Sequence, residues 1–531
     1  MSGLRVALVA PAPGSGIGDY ARALAAALRP ACELVVHSCA PLEGEAPLEA
    51  LASARFDHVW WQIGNERGQV PLAAGLERHG GVVTLHDWVL FDLACARWPE
   101  LSRGGPSAIW RAWREGGAEA ARVVLDHARA RREWKLHPPP CDADDDIWLE
   151  GWHEPEAHGR WSGPRARLRL GSRGHHGPAS VRVELHAPRG RWIRAMAGDT
   201  DAASVRGDDG LHELDLLVRL PCTLELVAAG SRPLARQADF ADTRELGAHV
   251  RRVAVRDASG WRQVDWTQPA RHPSSPSLAT RRFELALNRR TLRAARACFV
   301  HSDELAARVR SARPGLPTSV VEHGADEAPA PLLRAQARRV LGHAPDAFLV
   351  ASFGGVQAHK RIAVLVEACA LARRSRPALQ LLLAGAPDPE LDLDALLERH
   401  CAREFVHRAG RVEEQRIPLV LAAADLCVQL RGPSTGGTSG GIHRALAARR
   451  AVIASDLAEQ RELPDACVLK LPQDAMEVER LARWLVRLHD EPDRLRAMER
   501  AADEHVRARA AWSVVARRQL EVLESLPPST R

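Results

Sequence analysis

From residue 347 onward the chain repeats one unit: a short, wholly apolar run, a turn, and an apolar stripe at helical spacing. The runs lie at residues 348–353, 379–384, 425–430 and 451–455, and the helical stripes at 362–373, 393–400 and 442–448. Apolar runs without alternation read as strands buried on both faces, and strands that alternate with helices imply a parallel sheet covered on both sides. The N-terminal part has the same texture. Residues 4–10, 57–62, 82–85 and 297–301 read as buried strands, and residues 17–29 place Ile17, Tyr20, Leu24 and Leu28 on one helical face. Two such sheets are needed, so the fold class is α/β with two Rossmann-like domains.

Between the halves the texture changes. Pro138, Pro139 and Pro140 with the acidic run 142–146, and the Pro/Ser stretch 269–277, read as linkers. The runs at 166–170, 181–185 and 211–216 alternate apolar with polar at the spacing of a β-sandwich. The expected organisation is an N-terminal domain from 1–140 and 270–330, an inserted all-β sandwich at 141–269, and a C-terminal domain at 331–531.

At 46% apolar content the 531 residues are sufficient for packed cores, which excludes full-length disorder. No run approaches the ~20 apolar residues of a membrane span, and residues 4–10 are too short for a signal peptide. The expectation is a cytoplasmic protein. Ten cysteines scattered singly, with no C-x-x-C pair, argue against a disulfide framework or a structural metal. The net charge of +6 is spread among 67 carboxylates. That pattern is a solvated surface, or one that steers anionic substrates and touches a membrane at its inner face as a peripheral partner. Nothing in the pattern supports nucleic acid as a partner.

Four constellations can carry chemistry. The first is the glycine-rich turn Gly14-Ser15-Gly16-Ile17-Gly18-Asp19-Tyr20, which follows a strand and opens a helix, where backbone amides attract an oxyanion. Its spacing fits neither a dinucleotide fingerprint nor a P-loop, and a plain tight turn is the other reading. The second is Gly64-Asn65-Glu66 and His86-Asp87, placed at strand ends that border a crevice in an open α/β sheet; His86 as a cap or a satisfied buried group is the alternative. The third is Phe353-Gly354-Gly355 followed by His359-Lys360-Arg361, adjacent cations at a helix start suited to a diphosphate, or else a solvated charge pair. The fourth, Arg431 to Gly441, strings glycines with Thr435, Thr438 and Ser439 ahead of a helix bearing His443 and Arg444; it is an anion cradle or a flexible loop. Two rarities fall among these motifs. Tyr20 is the only tyrosine, and Lys360 is one of three lysines with Lys135 and Lys470.

Together these elements resemble the retaining nucleotide-sugar glycosyltransferases of the GT-B fold, family 4. Residues 16–21 are similar to the family's G-G-I-x-x-Y loop, and Thr84-Leu85-His86-Asp87 to its T-x-H-D. Val300-His301-Ser302 and Val321-Glu322-His323-Gly324 look like the elements that close the N-terminal domain. Gly354 and Lys360 match the glycine and lysine of G-R-x-x-x-x-K, and Gly410-Arg411-Val412 and Ala424-Asp425 match later elements. The chain departs from the pattern at three positions. Gly355 replaces the arginine that shares the diphosphate, Gly437 stands at or near the first glutamate of E-x7-E, and Arg444 stands near the second.

The resemblance implies a nucleotide-diphosphate sugar in the cleft between the α/β domains and a glycan, glycolipid or other hydroxyl acceptor. No metal and no cofactor beyond the donor is expected. It implies catalytic roles for His86, Lys360 and Arg444. Substrate contacts are implied for Gly16, Ile17, Gly18, Asp19, Tyr20, Asn65, Asp87, His323, Gly354, Gly355, Arg361, Gly410, Arg411, Gly437, Thr438, Ser439 and Gly440. Tyr20 and Lys360 should then both face the interdomain cleft, a core aromatic being the other reading of Tyr20. The insert looks like the accessory β-sandwich fused to some polysaccharide-assembly transferases; Trp152 and Trp161 would stack on sugar or fill its core. A sugar- or nucleotide-binding protein with impaired catalysis is the alternative that the missing glutamates support.

Overall fold

The computed structural model describes residues 3–103, 105–136, 145–149, 151–155, 159–174, 176–197, 200–229, 246–267, 278–326, 334–388, 391, 393–413 and 416–528. The linker expected at 269–277 and residues 138–144 of the other lie outside them. The chain forms two units, one of Met1–Trp98, Arg114–Gly117 and Leu285–Arg531, the other of Pro99–Trp113 and Ala118–Glu284.

The larger unit holds two parallel sheets. The first runs in the order Thr318–Val320, Ala295–Val300, Gly81–Leu85, His58–Ile63, Arg5–Ala10, Glu33–Ser38, Ala46–Pro47. The second runs Val406–Arg408, Leu379–Ala384, Phe348–Phe353, Leu426–Gln429, Ala451–Ser455, Val468–Leu471. Alternate residues of one strand feed opposite cores. Val6, Leu8 and Ala10 pack with Leu24 and Leu28 of the helix Gly16–Leu28, whereas Ala7 and Val9 pack with Leu72 and Leu76 on the other face. A strand buried on both sides must be apolar throughout, which is why these runs were legible.

In both sheets the first strand is central, with its sequence neighbour on one side and a later strand on the other. This is the point where strand order reverses and a crevice opens beyond the carboxyl ends. In the first sheet it lies between Arg5–Ala10 and His58–Ile63, in the second between Phe348–Phe353 and Leu426–Gln429. The glycine-rich loops lie at these two points.

The structure departs from the expected boundaries in two ways: the smaller unit takes in Pro99–Trp113 and resumes at Ala118 rather than at 141, and the last helix covers the first sheet. Residues 331–531 were expected to form the C-terminal domain, but the helix Trp512–Ser525 packs Val515, Ala516, Leu520 and Leu523 into the core that holds Leu8 and Leu24 of the first sheet. An amphipathic pattern shows that a helix has a core face, not which sheet it covers.

The smaller unit contains two antiparallel sheets. One consists of Thr200–Arg206, Trp192–Ala197, Cys222–Ala229, Arg165–Leu170 and Ile147–Trp148. The other consists of Leu211–Leu220, Gly177–His186, His249–Asp257 and Gly260–Gln263, with Arg160–Trp161 pairing on His249–Asp257. Leu168, Ile193 and Leu226 of one sheet share a core with Val183, Leu216 and Val255 of the other. Trp152 is fully buried there and donates its indole N–H to Arg167 O at 2.6 Å, so it is a core residue. Trp161 is half-buried beside His249. Among the described residues no helix is long and apolar enough to cross a membrane.

Candidate functional site

At the reversal point of the first sheet, the predicted turn forms by local demand. Ser15 caps the helix Gly16–Leu28 and its Oγ accepts from the Gly18 amide at 3.0 Å. A Cβ at Gly18 would overlap Ala12 O, so only glycine fits that close approach. The Gly18 amide is thus used by the cap. Gly16 is exposed with open space around it, and Gly14 lies near the Arg411 guanidinium of the second half.

Tyr20 does not face the cleft. It is buried, its ring set edge-on to His86, His301, His323 and Trp512 at centroid distances of 4.8 to 5.3 Å. Burial holds its phenol well above the ordinary range. A ring so enclosed serves packing.

His86 stands at the expected strand end but is committed. His301 Nδ1 lies 3.0 Å from Val321 O, and a carbonyl only accepts, so that nitrogen carries the hydrogen. Burial keeps His301 neutral, at about 4, and its Nε2 faces His86 Nδ1 at 3.3 Å. His86 Nε2 lies 2.9 Å from Gln62 Oε1. Both nitrogens of His86 face groups inside the fold. Asn65 is similarly engaged: its Nδ2 donates to Asp92 Oδ2 at 2.8 Å and its Oδ1 accepts from Asp92 N at 2.7 Å.

Asp87 joins the halves. Its carboxylate accepts from Asn65 N at 2.9 Å and from Thr435 Oγ1 at 2.6 Å, while Val89 N donates to Thr435 O at 2.9 Å. Gly436 adopts φ 78° against Trp88, and a Cβ on Gly437 would overlap Asp87 Oδ1 and lie 2.5 Å from His86 O. A side chain at Gly437 would therefore meet the Asp87 carboxylate and the His86 carbonyl. A second contact joins the halves nearby, where the His323 ring stacks on buried His443 at 5.0 Å. Burial lowers His323 well below its ordinary range and His443 to about 3. Among the described residues neither nitrogen of His443 has a hydrogen-bond partner, and His323 Nδ1 donates to Gly324 O at 2.7 Å.

The second sheet ends differently. Gly354 takes φ 99°, and the Lys360 ammonium occupies the space a Cβ there would fill. Lys360 is half-buried, and among the described residues no carboxylate pairs with it. Burial and the charge of Arg431 lower its pKa to about 8. Arg361, expected beside it, turns away to an ion pair with buried Glu477 and so leaves the site. Arg431 N donates to Ser455 Oγ at 2.9 Å, and its Nη1 donates to Gly437 O at 3.2 Å. The loop then reaches Ser439, which begins the helix Gly440–Ala447 without a side-chain cap, leaving first-turn amides without intrahelical acceptors. Gly440 lies against the His323 ring, and Arg444 lies over the Phe353 ring at 5.8 Å. Gly410 takes φ 64° with open space around it, and Arg411 is exposed.

The structure thus brings Lys360, Arg431 and the loop from Gly437 to Gly440 together, and uses His86, Asn65, Tyr20 and Arg361 elsewhere. Arg431 was visible only as the first residue of a loop; the signal that singles it out, a cation without a carboxylate, is not in the sequence. Among the described residues no three His, Cys, Asp or Glu side chains are grouped to hold a metal ion.

Residues 347–491, which contain this site, match the family model described as Glycosyl transferases group 1. Among solved structures the chain is similar to sucrose-phosphate synthase from Thermosynechococcus elongatus, at 24% identity over 46% of this chain and 61% of that one, with a TM-score of 0.40. It is similar to Anabaena Alr3699/HepE in complex with UDP, at 20% identity over 47% and 68%, TM-score 0.41. It is also similar to the pneumococcal O-GlcNAc transferase GtfA in complex with UDP and GlcNAc, at 11% identity over 99% of each chain, TM-score 0.41. The chain spans 61% of the sucrose-phosphate synthase it matches. No curated protein sequence matches it.

Proposed function

We propose that the chain transfers a sugar, with retention of configuration, from a nucleotide-diphosphate donor to a hydroxyl acceptor of a growing glycan or glycolipid on the cytoplasmic side. One observation carries the reading: Lys360 is a half-buried cation without a carboxylate, at the reversal point of a parallel sheet, inside the segment that matches the group 1 family model. A desolvated ammonium has a strong preference for a multivalent anion.

In this reading Lys360 and the amides of Thr438, Ser439 and Gly440 stabilise the charge that develops on the departing diphosphate. The acceptor oxygen forms its bond to the anomeric carbon on the leaving-group face as the carbon–phosphate-oxygen bond breaks, and its proton passes to the departing phosphate oxygen. Lys360→Ala should lower nucleoside diphosphate release from the accepted nucleotide sugar about 10²–10³-fold, the size of a lost transition-state donor. Near-normal turnover by that variant would sink the assignment.

A second reading, binding without transfer, is favoured by Gly437, whose surroundings leave no room for a glutamate. Calorimetry with a panel of nucleotide sugars, followed by an assay for diphosphate release with candidate acceptors, separates the two. Binding without release supports the second.

A further inference from the structure

Gly355 stands where the motif this chain resembles has an arginine, and Arg361 is tied to Glu477. A single ammonium is a weak grip for a group carrying two or three negative charges, so the source of a second cation matters. Arg431 is near enough for its charge to act on Lys360, and the loops that carry the two residues run side by side, with Gly432 N donating to His359 O at 2.8 Å.

Arg431 is held from several directions. Its amide donates to Ser455 Oγ on the neighbouring strand, its carbonyl accepts from Gln473, and its Nη1 donates to Gly437 O at the start of the glycine-rich loop. Among the described residues no carboxylate pairs with its guanidinium. Several other arginines of the same half do pair with carboxylates. Arg338 pairs with Asp425, Arg334 with Glu499 and Asp425, Arg376 with Asp490, and Arg361 with Glu477. An anchored guanidinium beside an ammonium, both without carboxylates, presents a fork that suits two phosphate oxygens.

We propose that Arg431 is the second cation of the diphosphate site and takes over the work of the arginine missing at Gly355. The inference rests on the donor reading above. The site therefore draws its two cations from the strands on either side of the reversal point, Lys360 from the loop after Phe348–Phe353 and Arg431 from the loop after Leu426–Gln429.

The test is calorimetric titration of the full-length protein with UDP, GDP and ADP, their monophosphates, and inorganic pyrophosphate. Arg431→Ala should weaken the tightest diphosphate by about 10- to 100-fold, the equivalent of one or two charge-assisted hydrogen bonds, and weaken its monophosphate less. Gly355 lies outside the left-handed region, and a Cβ there meets only the flexible Gln357 side chain. Gly355→Arg added to Arg431→Ala should therefore recover most of the lost diphosphate affinity. Arg431→Lys, which keeps the charge and the backbone contacts without the fork, should lose a smaller part at an unchanged melting temperature. If Arg431→Ala or Arg431→Lys binds the diphosphate as tightly as the native chain, the proposal fails. It also fails if both phosphate forms weaken equally, which would mean that Arg431 only orders the loop. A native chain that binds no diphosphate at all would overturn the donor reading itself.

Discussion

The strand ends of the first sheet close on themselves, whereas those of the second leave cations without carboxylates. His86, His301, Asn65 and Asp87 each meet a partner inside the fold, and the histidines there are held neutral. Lys360 and Arg431 stand at the equivalent place in the second sheet with no carboxylate among the described residues. Both ends have the same topology, so topology alone does not make a site. What differs is whether the polar groups are already satisfied, since a buried charge kept without its counter-ion is costly unless a ligand supplies one.

The sharpest break of this comparison pairs Lys360→Ala with Asp87→Ala. The first should lower turnover by the factor given above at an unchanged or raised melting temperature, because it removes a desolvated charge. The second should lower the melting temperature, because the Asn65 amide and the Thr435 hydroxyl lose their acceptor, at about 1–3 kcal/mol for each group left buried and unsatisfied. Thermal melts beside a diphosphate-release assay distinguish the outcomes. If both variants behave alike, the division between a structural end and a binding end is wrong.

Gly437→Glu asks the same question from the other side. It restores the carboxylate of the related motif, so sequence logic predicts a gain. The structure predicts a loss, because the new Cβ would overlap Asp87 Oδ1 and press on His86 O and force the two halves apart. Overpacking of this kind costs about 1–3 kcal/mol. Higher turnover in Gly437→Glu would show that the contact between Thr435 and Asp87 is not required in the working protein.

Much of the fold was legible because parallel strands are buried on both faces. The runs at 348–353, 379–384 and 451–455 are strands over those same residues. The alternating runs of the insert fall within antiparallel strands for the equivalent reason, with one face in the core and one in water. Partners distant in sequence were not legible. Arg361 beside Lys360 looks like half of a cationic pair, and only the fold brings Glu477 to it across 116 residues. Gly437 looks like a lost glutamate until Asp87 is seen against it. Tyr20 was singled out correctly as unusual, yet its motif position gave no hint that three histidines and Trp512 would enclose it.

Arg361→Ala sharpens the contrast within the second half. Arg361 and Lys360 are adjacent in sequence, but one cation is paired and the other is not. Removing Arg361 leaves Glu477 buried and unpaired, which should cost about 3 kcal/mol of stability. Diphosphate affinity should remain within a few-fold of native at temperatures where the variant is folded. A large loss of affinity with little loss of stability would return Arg361 to the site.

The smallest effect per group is also the one that tests the neutral end directly. His301 and His443 are held at about 4 and about 3 in the folded protein, and His86 and His323 are also lowered, against an ordinary value of 6.5. A base whose folded value is depressed takes up its proton more readily when unfolded. Stability is therefore fully present above about pH 6.5 and falls as the pH drops toward the folded values. Each histidine that stays neutral removes about 1.4 kcal/mol per pH unit in that window. Melting temperatures measured from pH 7 to pH 5 should decline, and His443→Leu, which deletes one buried base with no hydrogen-bond partner among the described residues, should make the decline shallower. Diphosphate affinity should have the opposite limit. It weakens above about pH 8 as Lys360 gives up its proton. Acid instability without alkaline loss of binding would leave the first sheet as described and remove Lys360 from the second.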